Sequence, residues 1–107
     1  MVEKPDQIED KIRRFFDLVK EHYPVKAMIL YGSHAKGRAT DQSDIDVGVV
    51  IDLPDHRRRI EITADLFHYA GKIDPSIEPK CIFWDEFRSP EKASILAEII
   101  RTGISVV

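Results

Sequence analysis

Two carboxylates, Asp44 and Asp46, lie close together in the sequence. Ten residues separate Asp44 from the preceding dipeptide Gly32-Ser33. The pattern from 45 to 51 predicts a strand, and alternate residues of a strand point to the same side, about 6.6 Å apart along its axis. Two carboxylates that face one side repel each other unless a cation lies between them. Mg²⁺ prefers oxygen ligands and commonly combines a few carboxylates with phosphate oxygens. The spacing therefore predicts metal-assisted attack on a nucleotide phosphate.

A short helical turn is predicted over residues 33–38, immediately after Gly32. Because Gly32 has no Cβ, the backbone there can approach a phosphate closely. The N–H groups that follow, together with the Ser33 hydroxyl, can bind phosphate oxygens at the start of a turn whose dipole favours an anion. Lys36 and Arg38 add two cations, although solvated charges are also common on a turn. We expect His34 to be a surface side chain.

Hydrophobic periodicity predicts the elements that must position these residues. A first helix, capped by Asp6, ends at Tyr23-Pro24, and a last helix opens at Ser89-Pro90 and ends at Gly103. A middle helix runs from about His56 to Ala70, with Gly71 as its stop and Asp55 as its cap. The predicted strands are Val25 to Tyr31, Ile45 to Ile51, Ile77 to Trp84 and a short terminal strand, Ile104 to Val107. This order predicts a sheet with helices packed on it.

The same periodicity predicts which side chains are buried. In the strand 45–51, one face carries Ile45, Val47 and Val49, and the other carries Asp46, Gly48 and Val50 after Asp44. The middle helix is expected to bury Ile60, Ala64, Phe67 and neighbouring residues, and the last helix is expected to bury Ile95, Leu96, Ile99 and Ile100.

Length and composition limit the classes of protein that fit. A chain of 107 residues is expected to form one domain, and 43% hydrophobic with 33% charged residues is typical of a folded protein. A net charge of −3 argues against strong non-specific nucleic-acid binding. Cys81, the single cysteine, is expected to be a buried, inert thiol. The sequence shows no apolar signal region and no apolar run near the roughly 18 residues of a membrane span, so we expect a cytoplasmic protein.

The spacing of Gly32-Ser33 and Asp44-Ile45-Asp46 resembles the signature of the DNA polymerase β-like nucleotidyltransferases. The longer form, 32–37 followed by 43–47, is similar to the minimal nucleotidyltransferases of the MntA type. The resemblance covers nearly the whole chain, 1–107. It implies an α/β (α+β) fold, the minimal nucleotidyltransferase palm, in which helices pack on a mixed β-sheet.

The resemblance also implies the roles of individual residues. Asp44, Asp46 and a third carboxylate on a later strand would be the catalytic residues and the ligands of two Mg²⁺ ions. Glu78 is the candidate for the third because it lies in the predicted strand, and Asp74 is the alternative. Glu78 could also accept the proton of the attacking hydroxyl. The nucleotide, ATP, would be bound by the turn residues Gly32, Ser33, Lys36 and Arg38.

The resemblance implies that this chain is an antitoxin. It would transfer AMP from ATP to a tyrosine hydroxyl of a HEPN-domain ribonuclease toxin. Three alternatives stay open at this point. The chain could silence its partner by masking it without catalysis, or it could modify a small molecule. Asp44 and Asp46 could also be solvated residues on the polar face of an edge strand, although Asp is disfavoured in strands.

Overall fold

A computed structural model describes residues 5–39, 43–89 and 94–107. Its helices are α1 (Pro5–Val19), α2 (Arg59–Ile73, preceded by a 3₁₀ turn at His56–Arg58), α3 (Trp84–Arg88) and α4 (Ile95–Thr102). Its strands are β1 (Val25–Tyr31), β2 (Ile45–Ile51), β3 (Ile77–Phe83) and β4 (Ile104–Ser105). The predicted bounds of β1 and β2 are confirmed. Within the described ranges, no helix is long and apolar enough to cross a membrane.

The four strands form one mixed sheet in the order β3-β2-β1-β4. β1 runs antiparallel to both of its neighbours, whereas β2 and β3 are parallel and are connected through α2. The predicted fold class, helices packed on a mixed sheet, is confirmed. β4 is shorter than predicted, but Val106 and Val107 still exchange backbone hydrogen bonds with Met28, at 2.9 and 3.1 Å.

The larger part of the core lies between the sheet and the helices α1 and α2. Ile45, Val47 and Val49 of β2 face this layer, as predicted, while Val50 faces the opposite side and packs with Ile99 of α4. Phe15 and Phe83 are fully buried here, and each such side chain contributes about 2–3 kcal/mol through burial. Cys81 is buried as predicted, and burial raises the pKa of its thiol to about 11.

The predicted buried face of α2 is wrong. Ile60 is 85% exposed and Phe67 is 47% exposed, whereas the residues that enter the core are Ile62, Leu66 and Ala70. Ala64 is likewise exposed, and Gly71 lies within the helix rather than ending it. The cause is an excess of apolar residues around α2, so that spacing alone does not select one face.

The last helix and the end of β3 also differ from the sequence-based expectation. α4 begins at Ile95, after Ser94, whose hydroxyl accepts a hydrogen bond from the Ala97 N–H at 3.1 Å. The predicted opening at Pro90 lies outside the described residues. Ile95 is 68% exposed and is not part of the buried stripe that Ile99 anchors. Trp84 opens the short helix α3, which the sequence analysis did not predict, instead of ending β3.

A proline and three local contacts disfavour the pairing of a further strand with the outer edge of β3. Pro79 has no N–H to offer, as is common on edge strands. The Cys81 carbonyl accepts a hydrogen bond from the Arg59 guanidinium at 2.8 Å, and the Phe83 N–H donates to the Glu86 carboxylate at 3.0 Å. Arg59 and Glu86 are themselves paired at 2.6 Å. These contacts hold β3 in place against α2 while occupying backbone groups that would otherwise pair with another chain.

Asp74 lies in the loop between α2 and β3 and joins that loop to α1. Its carboxylate pairs with the Lys11 ammonium and accepts hydrogen bonds from the Ser76 N–H at 2.8 Å and the Ser76 hydroxyl at 2.7 Å. Partial burial opposes ionisation of Asp74, but these hydrogen bonds outweigh it and lower the pKa to about 2. The ion pair therefore stabilises the fold at pH values above the ordinary pKa of the carboxyl group, and this stabilisation is lost as the pH falls toward 2.

We predict that Asp74→Asn lowers the free energy of unfolding by about 2 kcal/mol at pH 7. The folded-state pKa lies below the ordinary value, so the contribution is complete above about pH 4 and is lost as the pH falls toward 2. Urea unfolding of both proteins from pH 7 to pH 2 should show their difference shrinking toward zero. Asp17→Asn is the control, because its exposed carboxylate pairs with Lys20 at 3.1 Å and should contribute less than about 0.5 kcal/mol. A difference for Asp74→Asn that does not change with pH would contradict the assignment.

Candidate active site

The register of the sheet places Asp46 between Tyr31 on one neighbouring strand and Glu78 on the other. In the parallel pair β2–β3, Asp46 lies opposite Glu78, and in the antiparallel pair β1–β2 it lies opposite Tyr31. Residues opposite each other in a sheet project to the same face and their side chains are neighbours. Asp44 lies two residues before Asp46, next to the start of β2, and forms a side-chain hydrogen bond with Glu78. The three predicted carboxylates therefore converge at one end of the sheet.

The proximity of these acidic groups is visible in their pKa values. Partial burial raises the pKa of Asp46, and the Asp44 charge raises it further. The hydrogen bond with Asp44 raises the pKa of Glu78, as do slight desolvation of this exposed side chain and the charges of Asp44 and Asp46. Burial, Asp46 and Glu78 together raise the pKa of the Tyr31 phenol to about 12. The site thus holds more negative charge than its own residues neutralise.

Oxygen-only donors of this kind fit a hard divalent cation such as Mg²⁺. Among residues 5–39, 43–89 and 94–107, no group of three or more His, Cys, Asp or Glu side chains is already arranged around a metal position. Glu78 and Asp44 instead share a hydrogen bond. A cation would replace this contact and bind carboxylate oxygens of both residues, so the donor chemistry fits Mg²⁺ although the side chains must adjust to bind it.

The turn after β1 lies directly against the acidic cluster at Gly32. This residue has a φ of 73°, a backbone conformation that side chains disfavour, and a Cβ added to it would overlap the Asp46 Oδ2 atom. The turn is held by hydrogen bonds from the Lys36 N–H to the Gly32 carbonyl at 3.1 Å and from the Arg38 N–H to the Ser33 carbonyl at 2.9 Å. A phosphate bound at the turn would therefore lie beside the carboxylates.

His34 differs from the expectation that it is a surface residue. It is half-buried, and its Nε2 atom is buried with no hydrogen-bond partner in the described part of the chain. The His34 charge opposes the rise in the pKa of Asp46, which places the ring near that carboxylate. A buried ring nitrogen ordinarily has a partner, so this atom suits a bound phosphate or water. The position of His34 in the same turn as Gly32-Ser33 was the sequence signal that could have indicated its burial beside the site.

The structure separates the two candidates for the third carboxylate. Glu78 lies beside Asp44 and Asp46, whereas Asp74 is engaged by Lys11 and Ser76. Lys36 and Arg38 are exposed on the turn, and Ser33 is half-buried at its start. The geometry supports Glu78, and the nucleotide-binding roles of the turn residues stay predictions.

Comparison with known proteins agrees with this geometry. A family model described as a nucleotidyltransferase domain matches residues 12–102. The chain therefore belongs to the nucleotidyltransferase domain family. The enzyme class that the resemblance implied, a nucleotidyltransferase, is confirmed.

One sequence relative and two solved structures show which nucleotidyltransferases this chain is similar to. A Methanocaldococcus jannaschii protein named "Putative protein adenylyltransferase MJ0128" is 34% identical over 70 residues, which are 64% of this chain and 71% of the relative. A solved structure described as a toxin-antitoxin with AMP-PNP has a TM-score of 0.57 and 22% identity, covering 92% of this chain and 72% of the other. A toxin-antitoxin structure described as an MntA-HpeT mutant has a TM-score of 0.55 and 23% identity, covering 88% and 69%. These structures share the fold, and the resemblance to MntA-type proteins is confirmed.

We predict that Gly32→Ala impairs nucleotidyl transfer far more than Gly37→Ala. Both glycines have a positive φ, 73° and 69°. Each substitution should therefore cost about 1–2 kcal/mol in backbone strain. A Cβ at Gly37 meets nothing within 4 Å, whereas one at Gly32 must displace Asp46. Thermal unfolding followed by circular dichroism should show matched losses of stability, while transfer activity falls selectively in Gly32→Ala. Equal activities in the two variants would show that the close approach to Asp46 has no role.

Proposed function

We propose that this chain is a Mg²⁺-dependent adenylyltransferase that moves AMP from ATP to a hydroxyl group of a partner protein. The observation that carries the proposal is the convergence of Asp44, Asp46 and Glu78 beside the Gly32 turn. The turn supplies backbone donors for a triphosphate, and the acidic cluster supplies the ligands of the cation.

The reaction asks mainly for positioning and charge neutralisation. The acceptor oxygen bonds to the α-phosphorus of ATP, the bond from that phosphorus to the bridging oxygen breaks, and pyrophosphate leaves. Glu78, which lies beside Asp44 and Asp46, accepts the proton of the acceptor hydroxyl. When bound, Mg²⁺ would offset the triphosphate charge and polarise the reacting phosphate. Asp44 and Asp46 would hold the cation, and Ser33, Lys36 and Arg38 would hold the triphosphate.

The acceptor in this proposal is a tyrosine of a HEPN-domain ribonuclease toxin, which makes the chain an antitoxin acting in the cytoplasm. Support comes from the MntA-type signature at 32–37 and 43–47, from the protein adenylyltransferase name of the archaeal relative, and from the toxin-antitoxin structures that share the fold. The phosphate of the transferred AMP adds negative charge to the tyrosine, which offers a physical route to inactivating a nuclease.

We predict that Asp46→Asn and Glu78→Gln each reduce AMP transfer by about 100-fold or more, because each removes a charge that holds the cation at the transition state. The assay follows label from α-³²P-ATP to a purified HEPN-domain ribonuclease toxin, with and without Mg²⁺. Asp52→Asn is the matched control, because this exposed carboxylate follows the other end of β2 and pairs with Lys26 at 3.7 Å. Transfer that persists in both site variants, or in EDTA, would overturn the mechanism.

A test in cells separates catalysis from masking. The proposal predicts that Asp46→Asn, produced at the same abundance as the unaltered chain, no longer protects cells from the partner toxin. Growth rate and intact RNA are the measurements. Full protection by the inactive variant would show that the chain neutralises its partner by covering it.

A further inference from the structure

A cleft of about 310 Å³ runs along the outer edge of β3, on the side where α2 crosses the sheet. We call it the edge cleft. Its walls come from α2 on one side and from the sheet on the other, and the residues used here are Arg59, Thr63, Phe67, Tyr31, Glu78 and Lys80. The cleft therefore reaches the acidic cluster at Glu78 from the direction of α2.

The rim of the edge cleft continues into an exposed apolar stripe on α2. Ile60, Ala64 and Phe67 are spaced at i, i+4 and i+7, which places them on one side of a helix. The large hydrophobic side chains exposed in the described part of the chain are Ile60, Phe67, Ile95 and Ile104, and two of these four lie in the stripe. Ile60, 85% exposed, and Phe67, 47% exposed, stand about 10 Å apart along the helix axis.

Phe67 belongs to both features, since it is part of the stripe and also a wall of the edge cleft that contains Glu78. Because Phe67 and Glu78 line the same cleft, an acceptor hydroxyl that reaches Glu78 through this cleft brings its neighbouring side chains close to Phe67. Thr63 and Arg59 complete the wall, and Arg59 is fixed by its bonds to the Cys81 carbonyl and Glu86. A rigid wall with an apolar rim leading to a catalytic carboxylate suits a macromolecular acceptor better than a small one.

We propose that the apolar stripe and the edge cleft together dock the segment of the partner protein that carries the acceptor hydroxyl. An apolar side chain of that segment packs against Phe67 and Ile60, and the hydroxyl reaches Glu78 through the cleft. This inference rests on the proposed function, since it assigns the acceptor side of the same site. Apolar rim contacts set the affinity for the partner, and the carboxylates set the rate.

The experiment compares Ile60→Asp and Phe67→Asp with Ile104→Asp. Ile104 is 50% exposed, close to Phe67 in this respect, but it lies on β4 at the opposite edge of the sheet. Calorimetry without ATP measures the Kd for the purified HEPN-domain partner, and a second titration measures the Kd for AMP-PNP with Mg²⁺. Labelled transfer gives KM and kcat for the partner. Circular dichroism checks folding, and Phe67→Leu tests rescue by an apolar side chain.

We expect the Kd and KM for the partner to rise at least tenfold in Ile60→Asp and Phe67→Asp, with AMP-PNP affinity within twofold of that of the unaltered chain. Ile104→Asp should change none of these by more than twofold, and Phe67→Leu should retain most of the partner affinity. Partner affinity that is unchanged in both stripe variants would overturn the inference. A tenfold loss of AMP-PNP affinity in Phe67→Asp would overturn it too, by assigning the cleft to the nucleotide.

Sedimentation of the chain alone tests whether a second copy of this chain, rather than the partner protein, occupies the apolar stripe. A dimer that both stripe variants dissociate would assign the stripe to a second copy of this chain and overturn the inference. The proposed function fails separately. If the unaltered chain binds the partner through this stripe but transfers no AMP, adenylylation is wrong while docking is supported. If it transfers AMP and Phe67→Asp does so with the same KM, docking alone is wrong.

Discussion

The repulsion among Asp44, Asp46 and Glu78 is the constraint around which the rest of the structure is arranged. Strand pairing fixes Asp46 opposite Glu78, and the chain before β2 brings Asp44 into hydrogen-bond contact with Glu78. Partial burial of Asp46 and the neighbouring charges raise the pKa values of Asp46 and Glu78. A fold tolerates such a cluster only if the remaining contacts supply the free energy that the repulsion costs.

The supporting contacts come from the layers around the sheet. Ile45, Val47 and Val49 fasten β2 to the helical layer, and Val50 fastens it to α4 on the other face, so the strand that bears Asp46 is held from both sides. Arg59 and Glu86 hold the outer edge of β3, which bears Glu78. At the end of β1, the absence of a side chain at Gly32 lets the turn approach Asp46. Rigid supports of this kind let a few carboxylates bind a cation without reorganising the fold.

Much of the arrangement was predictable from the sequence, and the failures have physical causes. The apolar run of β1 and the alternation in β2 predicted the bounds of both strands, which the structure confirms. The metal-binding chemistry inferred from the Asp44–Asp46 spacing stays a prediction. The opposition of Asp46 and Glu78 was not predictable from local pattern, because the register of parallel strands is set by long-range pairing. Glu78 was chosen over Asp74 from its place in a strand, and the structure shows why Asp74 is occupied elsewhere. His34 was misplaced because nothing in a six-residue turn states how deeply it is buried.

The error on α2 is the most informative one. Spacing predicted that Ile60, Ala64 and Phe67 would face the core, whereas Ile62, Leu66 and Ala70 do so. Both sets are apolar and both have helical spacing, so the sequence encodes two apolar faces on one helix. The fold buries one face and leaves the other exposed, and Phe67 of the exposed face lines the same cleft as Glu78. An apolar face exposed next to a reactive centre is more typical of an interaction surface than of a surface without a role.

A crystal structure of the chain with Mn²⁺ and AMP-PNP tests the central claim most directly, because manganese gives an anomalous signal and prefers the same oxygen ligands as Mg²⁺. The account predicts anomalous peaks about 2.1 Å from carboxylate oxygens of Asp44 and Asp46, with the triphosphate lying along the turn after Gly32 and Glu78 facing the metal. Manganese and nucleotide bound at a place that excludes both Asp44 and Asp46 would contradict it.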